Sequence, residues 1–236
     1  MSRLGFELLC GQVLEALPAA PATVVDAGGG TGQLAVALAR HGYRVTVVDT
    51  SAAMLATCAQ RAADAGGQVA ARVAIVQGDA ADLPDLLGPG GQEAAVCHDL
   101  LTRVDDRAAL LASLAGVLAP GGVLSLGFAN RDWLALRAGR RGDHAAALRA
   151  VRGGEAMTLA EAETELEKAG FELVTASGVG VFADAGDDDL DPDELATLVE
   201  LERLVAGREP YRSSARTLHL VARCRVFRPE LPGDRL

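Results

Sequence analysis

The sequence predicts an α/β protein whose mostly parallel sheet carries helices on both faces, and three observations predict it. Short β-branched runs alternate with Ala- and Leu-rich stretches of helical length, the pattern of successive β-α-β units. The first run, "TVVDA", stops at an acid and leads into four glycines in five positions, Gly28, Gly29, Gly30 and Gly32. The chain of 236 residues also lies within the length that one such domain reaches.

The elements follow in order. Leu4, Leu8, Val13 and Leu17 recur at helical spacing and predict an amphipathic leading helix within residues 1–20. Glu7, Gln12 and Glu15 interrupt what would otherwise resemble the apolar core of a secretion signal. Strands are expected near 23–27, 44–48, 72–77, 93–98 and 122–128, with helices near 32–41, 51–65, 80–87 and 105–118 between them. Gly42 stops the first crossover helix, and Pro120-Gly121-Gly122 is expected to end the fourth and turn the chain into strand five. Residues 131–157 read as an arginine-rich helical lid or substrate insertion. Thr158 with Glu161 three residues on has capping-box spacing, opening a helix that Gly170 closes. "FELVTASGVGVF" reads as a sixth strand, residues 184–194 as an acidic loop capping a helix to about 206, and "RTLHLVARCRVF" as a last, antiparallel strand. No repeat or linker divides the chain, so a single domain over 1–236 is expected.

Composition narrows the function classes. No uninterrupted apolar segment reaches the roughly 18–20 residues that cross a bilayer. Cys10, Cys58, Cys97 and Cys224 lie far apart in apolar contexts and form no C-x-x-C pair, so a cytoplasmic protein without disulfide framework or zinc site is expected. The acidic loop lacks calcium-loop spacing, and no metal site is expected. The net charge of −10 disfavours nonspecific attraction to nucleic acid, and DNA is not expected as a partner. Yet residues 131–152 and 203–228 together hold 13 of the 22 basic residues. These stretches are either solvated faces or local anion-binding patches.

A glycine-rich turn after the first strand suits a dinucleotide, a phosphate or an adenosyl group, or is only a tight turn. Asp26, two residues before the first glycine, would oppose a pyrophosphate and suit a cation. The spacing is G-x-G-x-G where dinucleotide sites have G-x-G-x-x-G. Asp49 at the end of strand two could hold a ribose diol, and Asp79 after strand three stands within reach of an adenine amino group.

With "VVDAGGGTG", "VTVVDTSAAML", "VQGDAADL" and "LAPGGVLSL" in this order, residues 20–130 resemble the class I S-adenosyl-L-methionine (SAM)-dependent methyltransferases, which have a Rossmann-like fold. The resemblance implies that Gly28 and Gly29 line the methionyl end of SAM and that Asp49 holds the ribose hydroxyls, with Asp26, Gly30, Gly32 and Thr50 also expected among the cofactor-binding residues. It places Met54 beside the adenine and Asp79 with Ala80 at the adenine edge. Met54 has an alternative as a core methionine, and Asp79 as a helix cap.

"CHDLLTRVDD", "GGVLSLGFAN", "GVGVFAD", "LVELERLVAGREPY" and "LHLVAR" extend the likeness to the bacterial tRNA 5-carboxymethoxyuridine methyltransferases and their actinobacterial relatives. Those proteins use the histidine after strand four at the SAM site, here His98, and an arginine of the leading helix, for which Arg3 is the nearest candidate. Thr102 and Arg103 replace an acid and an aromatic of that pattern, and the basic segment is shorter.

The implied reaction moves a methyl group from SAM, leaving S-adenosyl-L-homocysteine. An ionised carboxylate acceptor needs no general base, whereas a hydroxyl or amine acceptor would need one, and His98 is the catalytic candidate. For a tRNA acceptor, Asn130, Arg131, Arg212 and Arg216 would meet the substrate and Tyr211 would stack a base or merely anchor its loop. His219, mid-strand among apolar neighbours, reads as structural. A small-molecule acceptor and a SAM-binding module without turnover are the alternatives.

Overall fold

A computed structural model describes residues 2–154, 156–183, 187 and 190–225. It begins with α1 (Arg3–Ala16), then β1 (Thr23–Ala27), α2 (Gln33–Arg40), β2 (Arg44–Asp49), α3 (Ala52–Asp64), a single turn α4 (Gly67–Ala70) and β3 (Val73–Gln77). A short 3-10 turn and α5 (Leu83–Leu87) lead to β4 (Gln92–His98), α6 (Arg107–Val117) and β5 (Leu118–Ala129). Next come α7 (Arg131–Arg140), α8 (His144–Arg152), α9 (Leu159–Lys168), β6 (Phe171–Val179), α10 (Pro192–Val205) and β7 (Thr217–Cys224).

The seven strands form one sheet in the order β3-β2-β1-β4-β5-β7-β6. Strands β1 to β5 pair in parallel, and β7 runs antiparallel to both β5 and β6. Because β2 lies on one side of β1 and β4 on the other, strand order reverses at β1. Ligands of open α/β sheets enter at such a reversal, outside the carboxyl ends.

The period-2 alternation of the strands sorts side chains between two faces. Val25, Ala95, Leu124, Leu126 and Phe128 pack with Leu110, Leu114 and Leu166 from α6 and α9. Val24, Val45, Val96, Val123 and Val221 pack with Leu9 and Val13 of α1 and Leu34 and Leu38 of α2 on the other side. The apolar stripe of the leading helix therefore covers sheet.

Two boundaries differ from expectation. Strand β5 starts at Leu118, before Pro120-Gly121-Gly122, because Leu118 already pairs with Gln92; the Pro-Gly pair is accommodated as a bulge before the register resumes at Ala94↔Val123. The stretch near 80–87 breaks into a 3-10 turn at Ala80–Asp82 and α5, with Pro84 in the first turn of α5. The capping box forms as spaced: the Glu161 N–H donates to Thr158 Oγ1 at 3.3 Å, and the Thr158 N–H to Glu161 Oε2 at 3.0 Å. Residues 184–186, 188 and 189 of the acidic loop lie outside the described residues. Asp191 accepts from the N–H groups of Asp193 and Glu194 and so caps α10.

Glu202 of α10 is the one buried carboxylate outside the cofactor end among the described residues. It accepts from the backbone N–H groups of Val181, Phe182 and Ala183 at 3.2, 2.7 and 2.8 Å, which fixes the turn after β6. Replacing it orphans three donors. Glu202→Ala is expected to cost about 2–4 kcal/mol in chemical denaturation, whereas an unchanged midpoint would show that the turn rearranges freely.

Candidate cofactor and acceptor site

The glycine turn sits at the strand reversal. Gly28 N–H donates to the Val48 carbonyl at 2.8 Å, so the turn leans toward β2. A side chain at Gly29 would place its Cβ 2.6 Å from both Cγ and Oδ2 of Asp26. That carboxyl lies directly under the turn, and only glycine permits the approach.

Asp26 is buried, and its Oδ2 is the sole buried side-chain polar atom among the described residues without a hydrogen-bond partner. Burial, and secondarily the negative charge of Asp49, pushes its pKa up to about 7. Asp49, at the end of β2, spends its two oxygens on the backbone. Oδ2 accepts from Gly30 N–H at 2.9 Å and Oδ1 from Ser51 N–H at 2.8 Å. Each retains a lone pair for a ligand hydroxyl.

The adjoining strand ends supply the remaining cofactor candidates. Thr50 is exposed, and its carbonyl accepts from Gln77 Nε2. Met54 in the first turn of α3 is 48% exposed, which removes its reading as a core methionine. Asp79 caps the 3-10 turn through Ala81 N–H at 2.9 Å, and Ala80 beneath it is buried. His98 ends β4, half-buried, with Nε2 at 2.9 Å from Ser125 Oγ. Arg3 stands apart from this group: it is exposed at the start of α1 and pairs with Glu7 at 3.0 Å.

The acceptor candidates divide differently. Asn130, expected at the substrate, is buried with its amide committed: Nδ2 donates to the carbonyls of Ser213 and Ala215, and Oδ1 accepts from Asp132 N–H. It holds α7 to the loop before β7, with both amide protons engaged there. Arg131 pairs with Glu161, whose pKa this hydrogen bond lowers. Arg212 pairs with Glu209 at 2.7 Å.

Tyr211 and Arg216 meet at Trp133, with Arg137 and Arg140 of the arginine-rich segment and with Phe182; the sequence reading passed over Trp133 and Phe182. Trp133, Arg137, Arg140, Phe182 and Tyr211 line a cavity of about 510 Å³. The guanidiniums of Arg137 and Arg216 lie 4.9 and 5.6 Å from the Trp133 ring centre, within cation–π range. Phe182 and Tyr211 are 5.9 Å apart. The arginine clustering around 131–152 and the lone tryptophan were the available signals. Pairing of Phe182 with Tyr211 was not, since the two come from separate loops.

Comparisons with known proteins agree with this architecture. Residues 24–122 match the family model described as a methyltransferase domain. The chain is 32% identical over 209 residues to the tRNA 5-carboxymethoxyuridine methyltransferase of Escherichia coli K12, covering 85% of this chain and 79% of that protein. The chain belongs to the class I SAM-dependent methyltransferases. A ubiquinone biosynthesis O-methyltransferase of Xanthomonas campestris is 35% identical over 116 residues, 49% of this chain and 46% of that protein. Among solved structures, a SAM-dependent methyltransferase of Thermotoga maritima, titled a possible histamine N-methyltransferase, superposes with a TM-score of 0.67 at 19% identity, covering 94% of this chain and 90% of that one. At that identity it shares the fold.

The residues of this methyltransferase fit its cofactor. SAM carries an ammonium and a sulfonium, and the turn presents an unpartnered buried carboxyl oxygen with a second carboxylate beside it. The methyltransferase's cofactor end also carries a pH signature. An acid whose pKa is raised by folding stabilises the fold fully below about pH 4, and this contribution is lost as pH rises through about 7. Asp26→Asn is therefore expected to be more stable than the parent by about 1–2 kcal/mol at pH 8, with little difference at pH 4, while binding SAM at least about tenfold more weakly. Cationic SAM should lower the Asp26 pKa, so binding near pH 7 releases a proton, measurable by calorimetry in buffers of different ionisation enthalpy. Proton uptake, or a less stable Asn variant at pH 8, would contradict this account.

Proposed function

We propose that this methyltransferase esterifies a carboxylate on a modified base, the 5-carboxymethoxy group of a uridine at the tRNA wobble position. The observation that carries the reading is the aromatic and arginine-lined cavity at the same edge of the sheet as the glycine turn. Segments 130–141 and 181–183 leave the carboxyl ends of β5 and β6, and 210–216 enters β7 there. An aromatic wall with arginines beside it suits a splayed-out base and its phosphates. The similarity to the Escherichia coli relative supports the same acceptor.

In this reading Asp26 and the turn through Gly28, Gly29, Gly30 and Gly32 receive the cationic end of SAM. Asp49 with Thr50 takes the ribose, and Met54, Asp79 and Ala80 bound the adenine. When bound, SAM supplies an electrophilic methyl group on a sulfonium. The chain contributes alignment, exclusion of water and charge. Burial, with the neighbouring His219, pulls the His98 pKa down to about 3, so the ring stays neutral and adds no positive charge beside the sulfonium. A carboxylate acceptor is ionised at neutral pH and asks for no proton transfer. Arg3 enters only if it leaves Glu7 when the cofactor binds.

A small acidic acceptor is the second reading, supported by a cavity of small-ligand size and by a net charge of −10 that opposes a small acid less than a polyanionic tRNA.

The deciding experiment incubates the methyltransferase with methyl-labelled SAM and bulk tRNA, counting label in RNA before and after mild alkali. Alkali-released label is expected, as from an ester. Trp133→Ala and Arg137→Ala are expected to raise KM for tRNA by about tenfold each without changing SAM affinity. Alkali-stable label would remove the carboxylate, and no label from tRNA shown to contain the precursor would favour the small acid.

A further inference from the structure

A row of buried polar groups crosses the sheet on the face covered by α1, among otherwise apolar neighbours. His98 on β4, Gly127 on β5 and His219 on β7 occupy one rung, by the registers His98↔Gly127 and Gly127↔His219. Gly127 has no side chain to separate the imidazoles: a Cβ there would lie 3.1 Å from His98 Cγ. The ring centres are 5.7 Å apart. Ser125, two residues earlier on the same face, bridges them, at 2.9 Å from His98 Nε2 and 2.8 Å from His219 Nε2. His219 Nδ1 lies 3.0 Å from Gln12 Oε1 of α1, and Gln12 Nε2 lies 3.2 Å from the Gly178 carbonyl.

Donor and acceptor chemistry permits one direction along this row. A backbone carbonyl only accepts, so the Gln12 amide must turn its NH₂ to Gly178 and its oxygen to His219. That oxygen requires a proton on His219 Nδ1. Burial holds the His219 pKa down to about 4, so the ring is neutral and its Nε2 is bare. Ser125 must then donate its single O–H to His219 Nε2, and its oxygen accepts from His98. His98 therefore carries its proton on Nε2, leaving Nδ1 as a lone pair. Nδ1 has no protein partner and is not sealed away, since Asp26 Oδ2 is the sole buried unpartnered side-chain atom among the described residues.

We propose that Gln12, Ser125 and His219 are positioning residues that lock His98 in the Nε2–H tautomer, so that it offers the cofactor end of β4 an acceptor for an N–H donor of cationic SAM. The inference rests on the reading of that end as the SAM site. Without the row, His98 could equally turn an N–H toward the cofactor, and a donor there would face the cationic ligand. Mid-strand His219 thus has an orienting task in place of a purely structural one.

The experiment is nitrogen-15 NMR of the full chain labelled in its histidine rings, at pH 7, with calorimetry of SAM binding. The expected His98 spectrum shows protonated Nε2 and bare Nδ1, assigned by its loss in His98→Gln. Ser125→Ala and His219→Phe, which keeps an aromatic ring but removes both nitrogens, should each give a mixture of tautomers and weaken SAM about fivefold to tenfold. His219→Gln, whose Oε1 can stand where Nε2 accepts, should retain the parent tautomer and affinity. A wild-type His98 protonated on Nδ1 would overturn the proposal. So would an unchanged tautomer and affinity in folded Ser125→Ala or His219→Phe. If one variant does not fold, the other and the wild-type spectrum still decide. Failure of the wild type to bind SAM would count against the cofactor-site reading separately, because the tautomer is read in the free protein.

Discussion

Two carboxylates at neighbouring strand ends impose the constraint around which the carboxyl edge is built. Asp26 is buried under Gly29 with one oxygen unsatisfied, and the charge of Asp49 next to it raises the cost of ionising it. Burying such a group is unfavourable unless something positive arrives. The glycine turn is held against Asp49 by its Gly30 N–H, so the two carboxylates and the shape of the turn are coupled. Stability is thus exchanged for affinity at one residue, as expected where a binding site departs from the rules that govern a core.

The same end of the sheet is divided by charge. Asp26, Asp49 and Asp79 stand at or just beyond the carboxyl ends of β1, β2 and β3, while the segments around β5, β6 and β7 bring Arg137, Arg140 and Arg216. A chain of net charge −10 can carry such an anion-attracting patch because screening confines its field to about 8–10 Å. The acidic and basic halves differ in construction too. The turn belongs to buried strands, whereas α7 and α8 bury no residue of their own. They are tied down by Asn130 and by the Arg131–Glu161 pair. Few buried contacts leave these helices easier to open than the sheet.

The parallel sheet was legible because its signals are local: period-2 runs, stop glycines, a capping box and an acid before a glycine turn. The early start of β5 was not, since Leu118 is recruited by Gln92 across the sheet and tertiary pairing overrides the turn signal of Pro120-Gly121. Most of the cofactor candidates were legible for the same reason as the strands, standing at a strand's carboxyl end or in the turn that follows it. Asn130 and Arg131 have the right chemistry for an acceptor but bond to Ser213, Ala215 and Glu161, partners 30 to 85 residues distant. The orienting row was invisible to sequence reading. It depends on a register that sets Gly127 between two histidines 121 positions apart.

The charge division also bears on turnover. Transfer of a methyl group from a sulfonium to a carboxylate removes one positive and one negative charge together, leaving a thioether and an ester. In the proposed reaction, the acids attract the cationic cofactor and the arginines attract the anionic acceptor before transfer. After it, the acids face a product that keeps its ammonium but has lost the sulfonium charge, and the arginines face a neutral ester. At an effective dielectric near 20, one charge pair about 4 Å apart amounts to about 4 kcal/mol, enough to matter for release even after screening. With Asp26 near its midpoint at neutral pH, loss of the sulfonium charge also lets that carboxyl recover its proton, which lowers the cost of its burial. An amine acceptor would gain positive charge instead and be repelled from the arginine-lined cavity. The electrostatics of the edge therefore favour an anionic acceptor through release as well as through binding.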